Sequence, residues 1–98
     1  MLAAVASGGT VAISAYLYKS AIGDGAAYNG GQPRLIQRAN PALGLDSDVV
    51  LATYSAGTGA WNQISATSSV ANDDGVLEFI VDCDGTAGWV NVDDWAAA

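Results

Sequence analysis

Three pairs of acidic residues are the side chains of this chain best suited to bind a metal ion or to take part in a reaction. They are Asp73 and Asp74, Asp82 and Asp84, and Asp93 and Asp94. Carboxylate oxygens are ligands that calcium prefers, and calcium takes roughly six to eight of them. The spacing does not form an EF-hand, because aligning Asp82, Asp84 and Asp93 to that loop leaves Ala87 at the obligatory glycine position. Beside Gly75 and Gly85, the first two pairs suit ordinary turns, and we favour turns for Asp73, Asp74 and Asp84.

Catalysis by these acids finds no support in the sequence. Glycoside hydrolysis needs one carboxyl group with a raised pKa and a second at a set separation. Every acidic residue here lies at a predicted turn or on an outward strand position, and the chain has no histidine to act as a base. Cys83 alternates with Val81 and Phe79, so we expect a buried thiol and not a nucleophile. The sequence therefore predicts a protein that is not an enzyme.

Three tryptophans and four tyrosines form the second set of side chains with functional potential. Aromatic faces pack on sugar rings as they do on other apolar surfaces. The strand pattern places five candidates on outward positions or on the final strand: Tyr16, Tyr18, Tyr54, Trp89 and Trp95. The alternative role is packing in the core or at a subunit contact, where tryptophan is enriched, and we favour that alternative over a glycan platform.

The charge balance narrows the choice of partners. The 98 residues include three Lys and Arg against ten Asp and Glu, a formal net charge of -7. This charge repels phosphate backbones and anionic lipids, so we expect neither nucleic acid nor a membrane as a partner. Arg34 and Arg38 lie on one face of a predicted strand, where they suit an anionic glycan or, as we prefer, a salt bridge to a neighbouring subunit. Cys83 is the only cysteine, which excludes an internal disulfide and, without histidine, a zinc site.

The elements that position these side chains are strands. Apolar residues recur with period two, and clusters of Gly, Asn, Asp and Pro interrupt them at short intervals. The pattern predicts strands over 10–18, 33–39, 48–54, 61–67, 76–83 and 89–95, with a seventh near 2–6. The chain is therefore predicted to be one all-β domain, residues 1–98, folded as an antiparallel β-sandwich of jelly-roll type with six to seven strands.

Three local details follow from the same pattern. The glycine-rich stretch 21–32 is expected to be a flexible loop without regular structure, and 84–88 to be the turn of a final hairpin. Trp61 and Ile64 are three residues apart and break strict alternation, so we expect a bulge between them. The central core is expected to consist of Leu77, Phe79, Val81, Val90 and Val92.

Four segments carry a family resemblance: VAISAYLYK at 11–19, Trp61 at the start of a strand, DGVLEFIVD at 74–82 and GWVNVDD at 88–94. Together they resemble carbohydrate-binding-module-like jelly rolls of the galactose-binding type. Jelly rolls of that family often hold a structural calcium near a terminal Asp-Asp pair, so the resemblance makes Asp93 and Asp94 candidate calcium ligands. No other cofactor is expected. Modules of that family have further strands ahead of the segment that matches 11–19, whereas ten residues precede it here. We expect a second copy or a partner chain to cover the sheet edge left open.

Jelly rolls of this kind occur both in glycan-binding modules of enzymes and in structural proteins of bacteriophages. The thin core, the open edge and the acidic exterior favour an assembly. The leading prediction is a non-enzymatic bacteriophage structural protein at the virion surface, a capsid decoration, cement or fibre-type subunit. Its partners would be further copies of itself or a major capsid protein. The alternatives are an extracellular carbohydrate-binding module that stacks a glycan on surface aromatics, and a subunit of a cell-surface filament or adhesin.

Overall fold

Nine strands, all paired antiparallel, make up the fold, which a computed structural model describes over residues 1–98. Their bounds are β1 Leu2–Val5, β2 Ala12–Lys19, β3 Asn29–Gly30, β4 Arg34–Gln37, β5 Val49–Thr53, β6 Trp61–Thr67, β7 Gly75–Asp82, β8 Gly85–Ala87 and β9 Val90–Ala97. Two single-turn 3₁₀ helices lie at Ile22–Asp24 and Pro41–Leu43. Neither helix has the length and apolar character needed to cross a membrane.

The strands form two main sheets. One has four strands in the order β1-β7-β4-β5, and the other has three in the order β6-β2-β9. A two-stranded ribbon, β3 with β8, stands apart from both. The seven longer strands overlap the seven that alternation predicts, with ends that differ by up to two residues, and the antiparallel all-β sandwich is confirmed. Jelly-roll topology stays a prediction.

The hydrophobic core lies between the inner faces of the two main sheets. On β2 the residues Ile13, Ala15 and Leu17 alternate inward, and on β7 Leu77 and Phe79 do the same. All five are almost completely buried, and burying a large apolar side chain stabilises a fold by about 1.5–3 kcal/mol. The other three residues predicted for the core pack against its rim and are partly buried: Val81, Val90 and Val92.

Segment 84–88 is not the turn of a hairpin, because β7 and β9 belong to different sheets. Its strand β8 instead pairs with β3 inside stretch 21–32, which also holds a 3₁₀ helix, so that stretch is not devoid of regular structure. Gly88 has φ +68°, and a Cβ there would lie 2.5 Å from the Ser20 hydroxyl oxygen. Only glycine accepts both the conformation and the contact. The chain passes from the four-stranded to the three-stranded sheet over residues 83–89, and β8 lies within this crossover.

The expectation that the Cys83 thiol is buried is also wrong. Strand β7 ends at Asp82, so the alternation that would turn Cys83 inward stops one residue earlier, and the thiol is free and exposed. Partial desolvation by the surrounding chain, followed by the negative charge of Asp82, raises the pKa of Cys83 above its ordinary value. The thiol therefore carries less thiolate at neutral pH than an ordinary cysteine.

We expect the native protein to react with iodoacetamide more slowly at pH near 8 than the same protein unfolded in urea, because thiolate is the reacting form. The difference should shrink as the pH rises above the raised pKa. Mass spectrometry of the alkylated chain measures both rates, corrected for urea with a free-cysteine peptide. Equal rates for the native and unfolded chains would contradict the raised pKa.

Candidate functional site

The outer face of the three-stranded sheet carries the main cluster of exposed aromatic side chains. Strand β2 turns Tyr16 and Tyr18 outward, as predicted, and Trp61 of β6 stands directly opposite Tyr18. The ring centroids of Tyr18 and Trp61 are 5.5 Å apart at an interplanar angle of 41°. Trp61 is 47% exposed and Tyr16 is 39% exposed. We call these three residues the aromatic face.

Trp61 was not among the predicted site residues, because the expected bulge left the strand face on which it lies unassigned. Strands β2 and β6 pair without interruption from Ala12–Thr67 to Tyr18–Trp61, so the expected bulge after Trp61 is absent. Ile64 faces the core, and a residue three positions away in a regular strand faces the opposite side. An outward tryptophan was therefore the simpler interpretation of the same spacing.

A bulge does occur, but in β9. Tyr16 pairs with Asp93 and Ser14 pairs with Ala96, so β9 contains one residue more than β2 over the same length. At this point Asp94 has φ +52°, in the left-handed region, and the Asp93 carboxylate accepts the Asp94 backbone N–H at 2.8 Å. A bulge places consecutive residues on one side of a strand, which alternation forbids.

Asp93 and Asp94 consequently line one pocket together with Tyr16 and Trp61. Its volume is about 280 Å³, and these four residues are its whole lining. The sequence proposed the aromatic residues and the acidic pair for separate roles, and the fold brings them to one place. We call this cavity the aromatic–carboxylate pocket.

The strain at Asp94 can be tested by substitution. Left-handed backbone costs a residue with a Cβ about 1–2 kcal/mol, less for Asp than for Ala, and glycine avoids the cost. We expect Asp94→Ala to lower the free energy of unfolding by about 1 kcal/mol, and Asp94→Gly to leave it unchanged or raise it. Urea denaturation measures both. Equal losses in the two variants would show that the side chain, and not the backbone conformation, matters at this position.

Asp24 fixes one end of the aromatic face. Its carboxylate oxygen Oδ2 accepts the Tyr18 hydroxyl at 2.6 Å and the Ala21 backbone N–H at 2.8 Å. The Tyr18 hydrogen bond first, and the Ala21 bond second, lower the pKa of Asp24, and the same contact raises the pKa of Tyr18. Because the folded pKa of Asp24 is lowered, this arrangement is complete above the ordinary value of 3.8 and is lost as pH falls through the lowered value.

A second, larger depression of about 460 Å³ lies further along the same sheet face. Its lining consists of small or uncharged side chains from β2, β6 and the end of β9: Ala12, Ile13, Ser14, Gln63, Ser65, Ala66, Thr67, Ala96, Ala97 and Ala98. None of these side chains is aromatic or charged. The candidate site is therefore centred on the smaller pocket, where the chemically distinctive side chains are.

Two predicted platform residues belong to the core side instead. Tyr54 is buried and donates its hydroxyl to the Leu17 carbonyl at 3.0 Å, so its assignment to an outward position is wrong. Trp95 was placed on the same face as Asp93, but the bulge at Asp94 reverses the parity, and Trp95 packs partly buried against the core. Trp89 is exposed, opposite Ser20 and beside Gly25, outside the pocket.

Both arginines have acidic partners within the chain. Arg34 of β4 forms an ion pair with Asp82 of β7, and Arg38 Nε lies 3.4 Å from an Asp48 carboxylate oxygen. Each arginine thus already has an acidic partner within the chain, and salt bridges from them to a neighbouring subunit stay a prediction. These pairs belong to the four-stranded sheet, whereas the aromatic–carboxylate pocket is on the three-stranded sheet.

The calcium site at Asp93 and Asp94 stays a prediction. No group of three or more His, Cys, Asp or Glu side chains converges anywhere in the chain. Two carboxylates supply at most four oxygens, whereas calcium takes roughly six to eight, so backbone carbonyls and water would have to supply the rest.

Comparison of the chain with family models, with curated proteins and with solved structures finds no match. Exposed aromatic rings beside hydrogen-bonding side chains on a rigid sheet suit the binding of a ligand that has both apolar faces and polar edges.

Proposed function

We propose that the chain is a non-catalytic carbohydrate-binding domain that stacks sugar rings on the aromatic face. The observation that carries the proposal is the juxtaposition of Tyr16, Tyr18 and Trp61 on the solvent side of the three-stranded sheet. Soluble domains usually bury side chains of this size, and a cluster of them left exposed marks a binding surface.

Polar groups beside the rings support a saccharide over a purely apolar ligand. Gln63 pairs with Tyr16, and Asn91 pairs with Tyr18, so an exposed amide flanks each tyrosine on the same face. Amides both donate and accept hydrogen bonds, which matches the hydroxyl groups around a sugar ring. The depression over the small side chains offers room for further rings of an oligosaccharide.

Binding without catalysis fits the same residues. A glycosidase needs one carboxyl group kept protonated by an apolar environment. Asp93 and Asp94 line the pocket but are exposed to water, and no histidine exists in the chain. We therefore assign the carboxylates to ligand binding.

The direct test compares Trp61→Ala with the wild type on a glycan array, followed by calorimetry on the glycans that bind. Loss of one stacking ring should weaken binding about tenfold or more. Trp89→Ala is the matched control, because Trp89 is similarly exposed but lies outside the pocket. Circular dichroism checks that both variants fold. A wild type that binds no saccharide, or variants with equal affinity, would contradict the proposal.

A structural subunit, of a bacteriophage particle or of a cell-surface filament, is the second candidate. One observation favours it: the outer face of the four-stranded sheet exposes apolar side chains around Glu78, with Leu2 65% and Val50 50% exposed. The ion pairs of Arg34 and Arg38 neutralise acidic residues on this sheet. A second copy of the chain is the occupant we favour, since the arginines neutralise Asp82 and Asp48 there and so lower the repulsion between two acidic copies.

Light scattering coupled to size-exclusion chromatography tests this candidate. Association at high micromolar concentration that weakens in a Leu2→Ser, Val50→Ser variant is the expected result. A strictly monomeric wild type would rule out self-assembly through this face. Neither outcome depends on Trp61, so the two candidate functions are tested separately.

A further inference from the structure

The charges around the aromatic–carboxylate pocket are all of one sign. Asp93 and Asp94 line it, and Asp24 holds the neighbouring Tyr18. The three basic side chains of the protein are elsewhere: Lys19 is buried on the inner side of β2, and Arg34 and Arg38 are paired on the other sheet. A ligand in this pocket therefore meets negative charge that no positive side chain offsets.

We propose that the pocket binds the ammonium group of an amino sugar whose amine is free, within an oligosaccharide stacked on the aromatic face. The proposal rests on the carbohydrate-binding function argued above and names the class of glycan. Cations are attracted to the faces of tryptophan and tyrosine within about 6 Å of the ring centre. Tyr16 and Trp61 supply two such rings, both partly exposed.

The two carboxylates complete the match. An ammonium group has three N–H donors, and carboxylates beside the aromatic rings accept them in charge-assisted hydrogen bonds. The bulge at Asp94 brings two adjacent carboxylates to the same pocket, which a regular strand cannot do. An ammonium group needs only a few acceptors, whereas calcium needs a nearly complete shell of oxygens.

The same charges discriminate against other glycans. Acetylation of the amine removes both the positive charge and two of its three donors, so the cation–π and ionic contributions are lost together. Sugars that carry carboxylate or sulfate groups meet Asp93 and Asp94 as like charges, which disfavours binding. The predicted order of affinity is amino sugar, then neutral sugar, then acidic sugar.

The experiment measures binding of a chitosan tetrasaccharide and of its fully N-acetylated counterpart by calorimetry at mildly acidic pH. We expect the free-amine form to bind about tenfold more tightly, since exposed cation–π and ionic contacts contribute modestly each. In the double variant Asp93→Asn, Asp94→Asn the preference should disappear, while affinity for the acetylated form is kept. Asparagine preserves the size of each side chain and the acceptor for the Asp94 N–H.

A matched control separates the pocket from the overall charge. The variant Asp46→Asn, Glu78→Gln also removes two negative charges, but at positions outside the pocket. It should keep the preference for the free-amine tetrasaccharide. Equal loss in both variants would assign the effect to net charge and overturn the proposal. Equal or tighter binding of the acetylated form by the wild type would also overturn it, while Trp61-dependent binding of that form would leave the carbohydrate-binding function standing. If the wild type binds neither tetrasaccharide nor any glycan on an array, both proposals fail.

Discussion

Replacing Phe79 with alanine should lower the free energy of unfolding by about 3–5 kcal/mol. The side chain is completely buried at the centre of β7, between β1 and β4. Its removal deletes a large apolar area and leaves a cavity that neighbouring strands cannot close without breaking register. Because a domain of this size is stable by only about 5–10 kcal/mol, the variant should be close to unfolding. Urea denaturation followed by circular dichroism measures the change.

Val76→Ala is the control for Phe79→Ala. Val76 is on the same strand but on its outer face, where it is half exposed. Its truncation should change the stability by no more than about 0.5 kcal/mol, the usual range for surface substitutions. If Phe79→Ala were as stable as Val76→Ala, the inner and outer faces of β7 would be assigned wrongly.

Trp95→Ala is expected to have the second largest effect, about 2–3 kcal/mol of lost stability. The bulge at Asp94 turns Trp95 toward the core, where it is partly buried, so truncation removes core contacts and not ligand contacts. Thermal and chemical denaturation give the change in stability, and calorimetry on the still-folded protein gives the affinity for glycan. We expect that affinity to be unchanged.

Trp89→Ala separates this expectation from a general effect of losing tryptophan. Trp89 is exposed beyond the start of β9, so its removal should cost well under half as much stability as removal of Trp95. The contrary outcome is a Trp95→Ala protein that keeps its stability but loses glycan affinity or self-association. It would show that Trp95 lies on the outer face and that the bulge at Asp94 is absent.

Alternation of side chains was sufficient to predict the strands and most of their faces. Ile13, Ala15 and Leu17 alternate with Ser14, Tyr16 and Tyr18, and the structure buries the first set, exposes Tyr16 and leaves Ser14 and Tyr18 half-buried. Such patterns are reliable in regular strands because one face must be apolar and the other meets water. The aromatic residues of β2 were predicted for the site on this basis alone.

The same reasoning fails where strand geometry changes. Nothing in the residues near Asp94 marks a bulge except that aspartate tolerates left-handed backbone better than most side chains. Trp95, the one position of the predicted strand after Asp94, is therefore assigned to the wrong face. Tyr54 fails for a different reason, because it follows the end of β5 at Thr53, where alternation no longer applies.

The alternation of side chains also gives no information about which strands pair with each other. The strands β7 and β9 are separated by few residues, which suggests a hairpin, yet they belong to different sheets. Which sheet a strand joins depends on contacts between segments far apart in sequence, such as the pairing of Tyr16 with Gln63 and Asp93. The aromatic–carboxylate pocket is assembled from three such segments, so it could not be predicted as one site.

The inner side of β2 has a consequence for the rates at which ligands bind. Beneath the aromatic face, the Leu17 carbonyl accepts the Tyr54 hydroxyl, and buried Lys19 donates to the Ala56 carbonyl at 2.8 Å, with its ammonium 5.4 Å from the Tyr54 ring centre. These contacts tie the strand that carries Tyr16 and Tyr18 to the segment after β5. A ligand therefore meets a backbone that is already ordered, and association requires only side-chain adjustment. Glycans of equal charge should then differ mainly in how long each remains bound, whereas glycans of different charge should also differ in association rate.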